Sequence, residues 1–387
     1  MTLSELLQNE ALRRREFPVT GRGAFLAHAA VCPLPRRVTE AMSAYLQRTQ
    51  EADQETAFPR RLLGELRAQA ARILNVDAAE IALVGPTSLG LSLVAAGLPL
   101  QAGDNIVLYQ DDYPSNVYPW MAWEEKGIEL RRVQTPRLGL IRPEDVERCV
   151  DGRTRLVALA SCHFISGDRL ELPAIGSWLR ERGVRFCVDG IQTVGAMPTD
   201  ASQADFLAAD AHKWMLGPCA AGLLYVRREV QDELKPAVFG WHNVRCADFV
   251  AQPELQLRSD ARRYEAGTAN LVGMVGLKAA LDLLEEVGLD AISAELLRKR
   301  RRLVPALQEM GFEVLGHDAA DSCSSGIVSF GHPSQDLRAL HARMAESGVT
   351  VSLRTARSGE HYIRLSPHFY NTDAELDHFL GLLDRPQ

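Results

Sequence analysis

Three stretches of this chain carry residues whose type and spacing suit chemistry. The first is Val184-Arg-Phe-Cys-Val-Asp189-Gly-Ile-Gln192. It reads as a buried strand with an acid at its carboxyl end, where open α/β sheets bind ligands. The second holds Lys213, in Asp205-Phe-Leu-Ala-Ala-Asp210-Ala-His212-Lys213-Trp-Met-Leu-Gly217-Pro218, ahead of the apolar run Ala221-Gly-Leu-Leu-Tyr-Val226. A lysine set between apolar segments can lie inside the fold. Burial lowers its pKa and leaves a neutral amine, a nucleophile for an aldehyde. The third, Val84-Gly-Pro-Thr87-Ser88-Leu-Gly90, follows a strand and opens a helix. Backbone amides at a helix start, with two hydroxyls beside them, form a phosphate cradle. Taken singly, each stretch also reads as ordinary structure: a capping acid, a surface lysine, an N-cap. No G-x-G-x-x-G or Walker A pattern occurs, so neither a dinucleotide nor ATP is expected.

The elements that must position these residues alternate. Apolar runs at 81–84, 105–109, 156–160, 184–188 and 222–226 read as strands buried on both faces. Helical patterns at 60–74, 91–98 and 172–182 lie between or before them. Such alternation predicts a three-layer α/β domain with a mainly parallel sheet. After about residue 270 the texture changes to helices at 272–287 and 291–310, strands at 326–330, 350–353 and 362–365, and a helix near 337–347. The last helix opens at Thr372 with Glu375 three residues on, a capping box. The expected organisation is an N-terminal helical segment over 1–20 packing with the small domain, a large domain over 21–270 and a smaller α+β domain over 271–387. The polar loop at 317–325 is expected to be exposed.

Bulk properties exclude several classes. With 43 basic and 50 acidic residues the net charge is −7, so neither nucleic acid nor an anionic membrane is an expected partner. The basic cluster Arg298-Lys-Arg-Arg-Arg302 reads as the solvated face of a helix. Seven cysteines, an odd number with no C-x-x-C pair, argue against a disulfide framework or a zinc site and for a reducing, cytoplasmic compartment; no metal is expected. The first fifteen residues lack a signal-peptide core, and no run of about 18 apolar residues exists to span a membrane.

Asp189-x-x-Gln192, then His212-Lys213, then Gly217-Pro218, resemble in order and spacing the fold-type-I pyridoxal-phosphate (PLP) enzymes of the class V aminotransferase and cysteine desulfurase superfamily. In texture the chain is most similar to the isopenicillin-N-epimerase-like and kynureninase-like branches, and the resemblance runs from about Phe25 to the last helix. It implies the PLP-dependent transferase fold type I and a cofactor held as a Schiff base on Lys213, which would later move the α-proton. Asp189 would pair with the pyridinium nitrogen and keep the ring protonated. Gln192 would contact the phenolic oxygen. His212 would sit beside the phosphate or line the site. Thr87, Ser88 and Asp210 complete the cofactor set on this side.

Tyr113, in Asp111-Asp-Tyr113-Pro-Ser-Asn-Val-Tyr-Pro-Trp120, would stack on the pyridine ring. Tyr264-Glu-Ala-Gly267-Thr268-Ala-Asn270 is similar to the segment that reaches a neighbouring subunit's phosphate through Thr268; Trp241 would also line the pocket. A homodimer with a shared active site follows from the resemblance. Arg364 matches the arginine that clamps the substrate carboxylate, a role that suits its planar fork. His28, in His28-Ala-Ala-Val-Cys32-Pro, stands in the segment that enters the pocket near the substrate.

The chain departs from the desulfurase pattern at Thr350-Val-Ser-Leu-Arg354-Thr-Ala-Arg357-Ser-Gly-Glu360, which has no cysteine to take up sulfur. Cys219, after the Gly-Pro turn, reads as a small buried structural residue. His163, in Ser161-Cys-His163-Phe-Ile-Ser-Gly167, reads equally as a site residue or a packed one. The first expectation is therefore amino-group transfer on an amino acid. A Cβ–S lyase and an epimerase are the alternatives, and an inactive PLP-fold binding protein is the alternative of another class.

Overall fold

The computed structural model describes residues 1–383. Its strands in chain order are β1 (Ala24–Phe25), β2 (Ile81–Val84), β3 (Asn105–Leu108), β4 (Glu129–Arg132), β5 (Thr154–Ala160), β6 (Arg185–Asp189), β7 (Phe206–Asp210) and β8 (Gly222–Val226). Then follow β9 (Glu313–Val314), β10 (Val328–Gly331), β11 (Val349–Thr350), β12 (Ser352–Thr355) and β13 (His361–Leu365). The large sheet has seven strands in the order β2-β8-β7-β6-β5-β3-β4. Only β8 runs against its neighbours, pairing antiparallel with both β2 and β7. Strand β12 pairs antiparallel with β13, β13 with β10 and β10 with β9 to form the small sheet.

Side chains alternate across a strand, so a sheet covered on both faces needs apolar residues at every position. Val107, Leu159, Val188, Leu207 and Leu223 enter one core; Ile106, Ala158, Cys187, Ala208 and Leu224 enter the other. The first core is covered by helices Leu62–Leu74, Leu172–Glu181 and Leu271–Val287, the second by helix Thr87–Gly97. The result is three layers.

Two strands of the large sheet were not legible in the sequence. Strand β7 is alanine-rich and low in intrinsic strand preference; pairing with β6 and β8 on both edges decides its state. Strand β4 is charged because it is the sheet's edge, where one side meets water.

The domain boundaries shift. Helix Leu271–Val287, expected in the small domain, buries Met274, Leu277, Leu281 and Leu284 in the large core. The next helix, Leu289–Glu309, serves both: Ile292 and Leu296 enter the large core, Leu303 and Leu307 the small one. At the other end Ala24 and Leu26, assigned by sequence to the large domain, lie in the small core because β1 pairs with β11. The N-terminal segment contributes Leu6 and Phe17 to the large core, although Arg13 also pairs with Glu375 in the last helix.

The basic cluster is not a uniform solvated face. Five consecutive helical residues span more than a full turn, so some must point inward. Lys299 is fully buried against Glu295 and the Phe369 carbonyl, and Arg300 donates to the carbonyls of Ile327 and Gly316. The 317–325 loop is likewise only partly exposed: Ser324 and Ser325 are buried, and Ser325 Oγ donates to Gly167 O at 2.8 Å. The capping box at Thr372 is present, with Thr372 N donating to Glu375 at 2.7 Å. No helix among the described residues is long and apolar enough to cross a membrane.

Candidate active site

Strands β2, β3, β5, β6 and β7 share one direction, so the segments after their carboxyl ends gather along one edge of the sheet. Those segments bring Thr87 and Ser88, Tyr113, Ser161 to Phe164, Asp189 and Lys213 to one place.

Lys213 sits in a turn built around the Asp210 carboxylate. Asp210 accepts from Ala211 N (2.8 Å), Ala221 N (3.0 Å), Ala220 N (3.1 Å) and His212 Nδ1 (2.7 Å). All its acceptor capacity is spent on the protein. Asp210 therefore positions His212 and does not touch a cofactor, which corrects the sequence assignment. Leu216 and Ala220 hold left-handed backbone (φ 57° and 58°), and Trp214 next to the lysine is fully buried. Side chains in that region cost about 1–2 kcal/mol each, so the turn stores strain around the lysine.

The Lys213 side chain is 7% exposed and lies 5.2 Å from the centroid of the Tyr113 ring. Burial brings its pKa down to about 8; Asp189 opposes the shift, and Arg364 and Arg354 add to it. Asp189 is buried, with Oδ1 accepting from Ile191 N at 3.0 Å. Burial raises its pKa, Lys213 lowers it. Neither the lysine nitrogen nor Asp189 Oδ2 has a hydrogen-bond partner among the described residues. A buried amine and a buried carboxylate left open toward each other fit a group with an electrophilic carbon at one end and a basic ring nitrogen at the other.

The phosphate end fits too. Helix Thr87–Gly97 has no side-chain cap, and its first bonded amides are those of Leu89 and Gly90. The amides of Thr87 and Ser88 stay open. Thr87 Oγ1 accepts from Asp210 N at 2.9 Å and can still donate. His212 Nε2 is free beside them.

Tyr113 is 41% exposed and is held from below by Asp112, a residue the sequence reading passed over. The Asp112 carboxylate accepts from Tyr113 N (2.8 Å), Ala160 N (2.9 Å) and Asn116 Nδ2 (3.0 Å). Burial, with Asp189 nearby, pushes it up to about 7. The Asp-Tyr-Pro sequence, an acid ahead of a proline turn, was the available signal.

Gln192 is buried between Trp214 Nε1 (2.8 Å) and the Ala29 carbonyl (3.2 Å). Its remaining donor hydrogen is all it has to offer a ligand. His28 is corrected outright. It is fully buried, with Nδ1 on Ser366 O (2.9 Å) and Nε2 on the Tyr370 hydroxyl (2.7 Å). Burial drives its pKa to about 3, so it is a neutral packing residue and not a substrate contact. His163 is also packed, between Ser166 Oγ and the Asp111 carbonyl. Cys219, expected to be buried, is exposed. Trp241 and Thr268 are exposed on the surface of the segment 238–270.

Arg364 is buried. Its Nη1 donates to Phe164 O at 2.5 Å, Nη2 reaches Ser352 Oγ only at 3.5 Å, and Nε has no partner. The Nε–Nη2 edge thus lacks a full partner, and it is the edge on which arginine holds a carboxylate bidentately. Arg354, also overlooked in the sequence, stands half-buried near it with an unpartnered Nε.

A buried amine facing a buried acid, under an aromatic ring and next to an open phosphate cradle, on a fold-type-I scaffold, defines a PLP enzyme. The chain belongs to the aminotransferase class-V family, whose pattern it matches over residues 24–379. It is 30% identical to a probable cysteine desulfurase of Pyrococcus abyssi, over 96% of both chains. Two solved structures of C-DES superpose closely, each 25% identical. One is a mutant with glycine covalently linked to its PLP cofactor, covering 96% of this chain and 99% of its own with a TM-score of 0.87. The other is the cystine C–S lyase with its product cysteine persulfide, covering 96% and 100% with a TM-score of 0.86. The cofactor of this enzyme is PLP.

Because Lys213 is brought down to about 8, the cofactor-free protein should combine with PLP fastest when the amine is neutral. The rate should rise with pH to half its maximum near pH 8. A solvated lysine would put that midpoint near pH 10.4. Stopped-flow absorbance across a pH series reads the midpoint; a rate still climbing steeply above pH 9.5 contradicts a buried amine.

Proposed function

We propose that this chain is a PLP-dependent lyase that breaks the Cβ–S bond of a cysteine-type amino acid and releases the sulfur-bearing group to solution. The sequence motifs make amino-group transfer the first expectation. The desulfurase and C–S lyase relatives favour what was then the alternative. The observation that carries the reading is the open Nε–Nη2 edge of Arg364 beside the buried amine of Lys213.

Lys213 Nζ would anchor the cofactor and then take the proton from the substrate α-carbon, a role for which a pKa near neutrality suits it. Arg364 would orient the α-carboxylate. Asp189 would hold a proton at the ring nitrogen, Tyr113 would cover the ring face and the Thr87 and Ser88 amides would bind the phosphate. When bound, PLP supplies a conjugated system that accepts the electron pair left at the α-carbon.

Release to solution follows from the turn between β12 and β13. It closes tightly, with Ala356 N donating to Glu360 O at 2.9 Å, and Arg357 pins it to Asp111 at 2.5 Å. No cysteine stands in it to accept sulfur. The exposed residues Val238, Phe239, Trp241, Phe249 and Val250 form an apolar surface segment that supports pairing with a second copy of the chain. Thr268, also exposed, would then reach the partner's phosphate.

The test is product analysis with L-cysteine and L-cystine. Pyruvate, ammonium and a sulfur species in equal amounts support the lyase. Amino transfer to a 2-oxo acid without sulfur release overturns it. Cys219→Ser should keep turnover within about twofold; collapse would mean that sulfur passes through that thiol.

A further inference from the structure

We propose that Arg354 determines specificity by binding a second anionic group, carried on the side chain of the amino-acid substrate, while Arg364 takes the α-carboxylate. The inference rests on the lyase reading above and names its substrate class.

Strands β12 and β13 pair with Ser352 opposite Arg364 and Arg354 opposite Tyr362. Residues directly opposite in an antiparallel pair share a face, as do alternate residues along each strand. Arg354 and Arg364 therefore project from one face as diagonal neighbours, with about 7–8 Å between their backbone positions. The other face carries Leu353 and Ile363 into the small core. The arginine face looks toward the active site. Both guanidinium groups act on the Lys213 amine, and both sense the Tyr113 phenol.

The charge balance there is unusual for this chain. Its other arginines in and near the site are paired: Arg357, three residues on, holds Asp111, and Arg137 holds Asp168. No carboxylate among the described residues acts on Arg354 or Arg364, and each has a buried Nε with no partner. Two unneutralised cations near one another, one of them fully buried, are costly. A single carboxylate fills the one open edge of Arg364. It leaves Arg354 without a counter-charge beside the substrate's side chain. An anion at the end of that side chain supplies it.

A matched pair of substrates tests this: S-carboxymethyl-L-cysteine, with an anionic side chain, and its neutral isostere S-carbamoylmethyl-L-cysteine. In each, the Cβ–S bond breaks with its electron pair going to sulfur, and the α-proton goes to Lys213. The thiolate takes up a proton, and the three-carbon remainder takes up water to give pyruvate and ammonium. The holoenzyme, Arg354→Gln and Arg354→Lys are compared by thiol release and by Kd from the absorbance change of the bound cofactor. The wild type should favour the anionic substrate at least tenfold in kcat/KM, mainly through KM, since a site with an unmatched polar group rejects the neutral analogue. Arg354→Gln should bring the ratio within about twofold, through a larger loss on the anionic substrate than on the neutral one. Arg354→Lys should keep part of the preference.

A wild type without preference, or an equal loss on both substrates in Arg354→Gln, overturns the assignment. If neither substrate releases thiol, the lyase reading fails. The Kd ratio then still decides the role of Arg354.

Discussion

Replacing Lys213 with alanine should lower kcat by at least about 10³-fold while the protein still folds and still binds PLP. The amine is asked for two things, covalent anchoring and proton transfer at the α-carbon, and the second alone is commonly worth 10²–10⁴. Binding should survive because the open amides of Thr87 and Ser88, the Asp189 carboxylate and the Tyr113 ring do not depend on Lys213. Stability should not fall, since the substitution removes a buried amine that burial itself disfavours as a cation. Borohydride should fix the cofactor to the wild type and leave it removable by dialysis from the variant. Turnover within tenfold of wild type in Lys213→Ala would refute the role.

Asp189→Asn should lower kcat by about 10²- to 10³-fold with nearly unchanged cofactor content. The amide has the same shape and can keep the contact with Ile191 N, so the strand end should hold its form. What it lacks is the charge that stabilises a proton on the ring nitrogen, and with it the ring's capacity to accept electrons. A charge-assisted hydrogen bond exchanged for a neutral one costs about 1–1.5 kcal/mol, roughly one order of magnitude, before the electronic effect is counted. The measurement is kcat with PLP occupancy read from absorbance in the same sample. An Asp189→Asn enzyme within fivefold of wild type would remove Asp189 from the chemistry. Loss of cofactor from the variant would instead make it a binding residue alone.

Both expectations concern residues that the sequence already singles out. Asp189 and Lys213 were singled out by the joint order and spacing of Asp189-x-x-Gln192, His212-Lys213 and Gly217-Pro218, since each alone also reads as ordinary structure. Strands β2, β5, β6 and β8 were legible for a different reason: both of their faces are covered, so almost every position is apolar. Strand β7 was not, because four of its five residues are Phe, Leu and two Ala, a pattern that a helix or a turn accepts equally well. Only the partners at its two edges select the extended form.

His28 and Asp210 show the same division inside the site. The resemblance assigned each to the ligand, and in space each spends its bonding capacity on the protein. Whether a polar side chain faces a cofactor or spends its capacity on the protein depends on partners far away in the chain: Ser366 and Tyr370 for His28, and the amides of Ala220 and Ala221 for Asp210. Arg354 is the converse. It sits in a stretch searched for a cysteine, and its place beside Arg364 exists only through the register of two strands.

By itself the order of residues determined the α/β class and singled out the amine and the acid as candidates, because burial and charge leave marks that are local in the chain. Which side chains remain open to a ligand was decided by tertiary contacts, since hydrogen-bond capacity is finite and is consumed by neighbours that folding alone brings within reach.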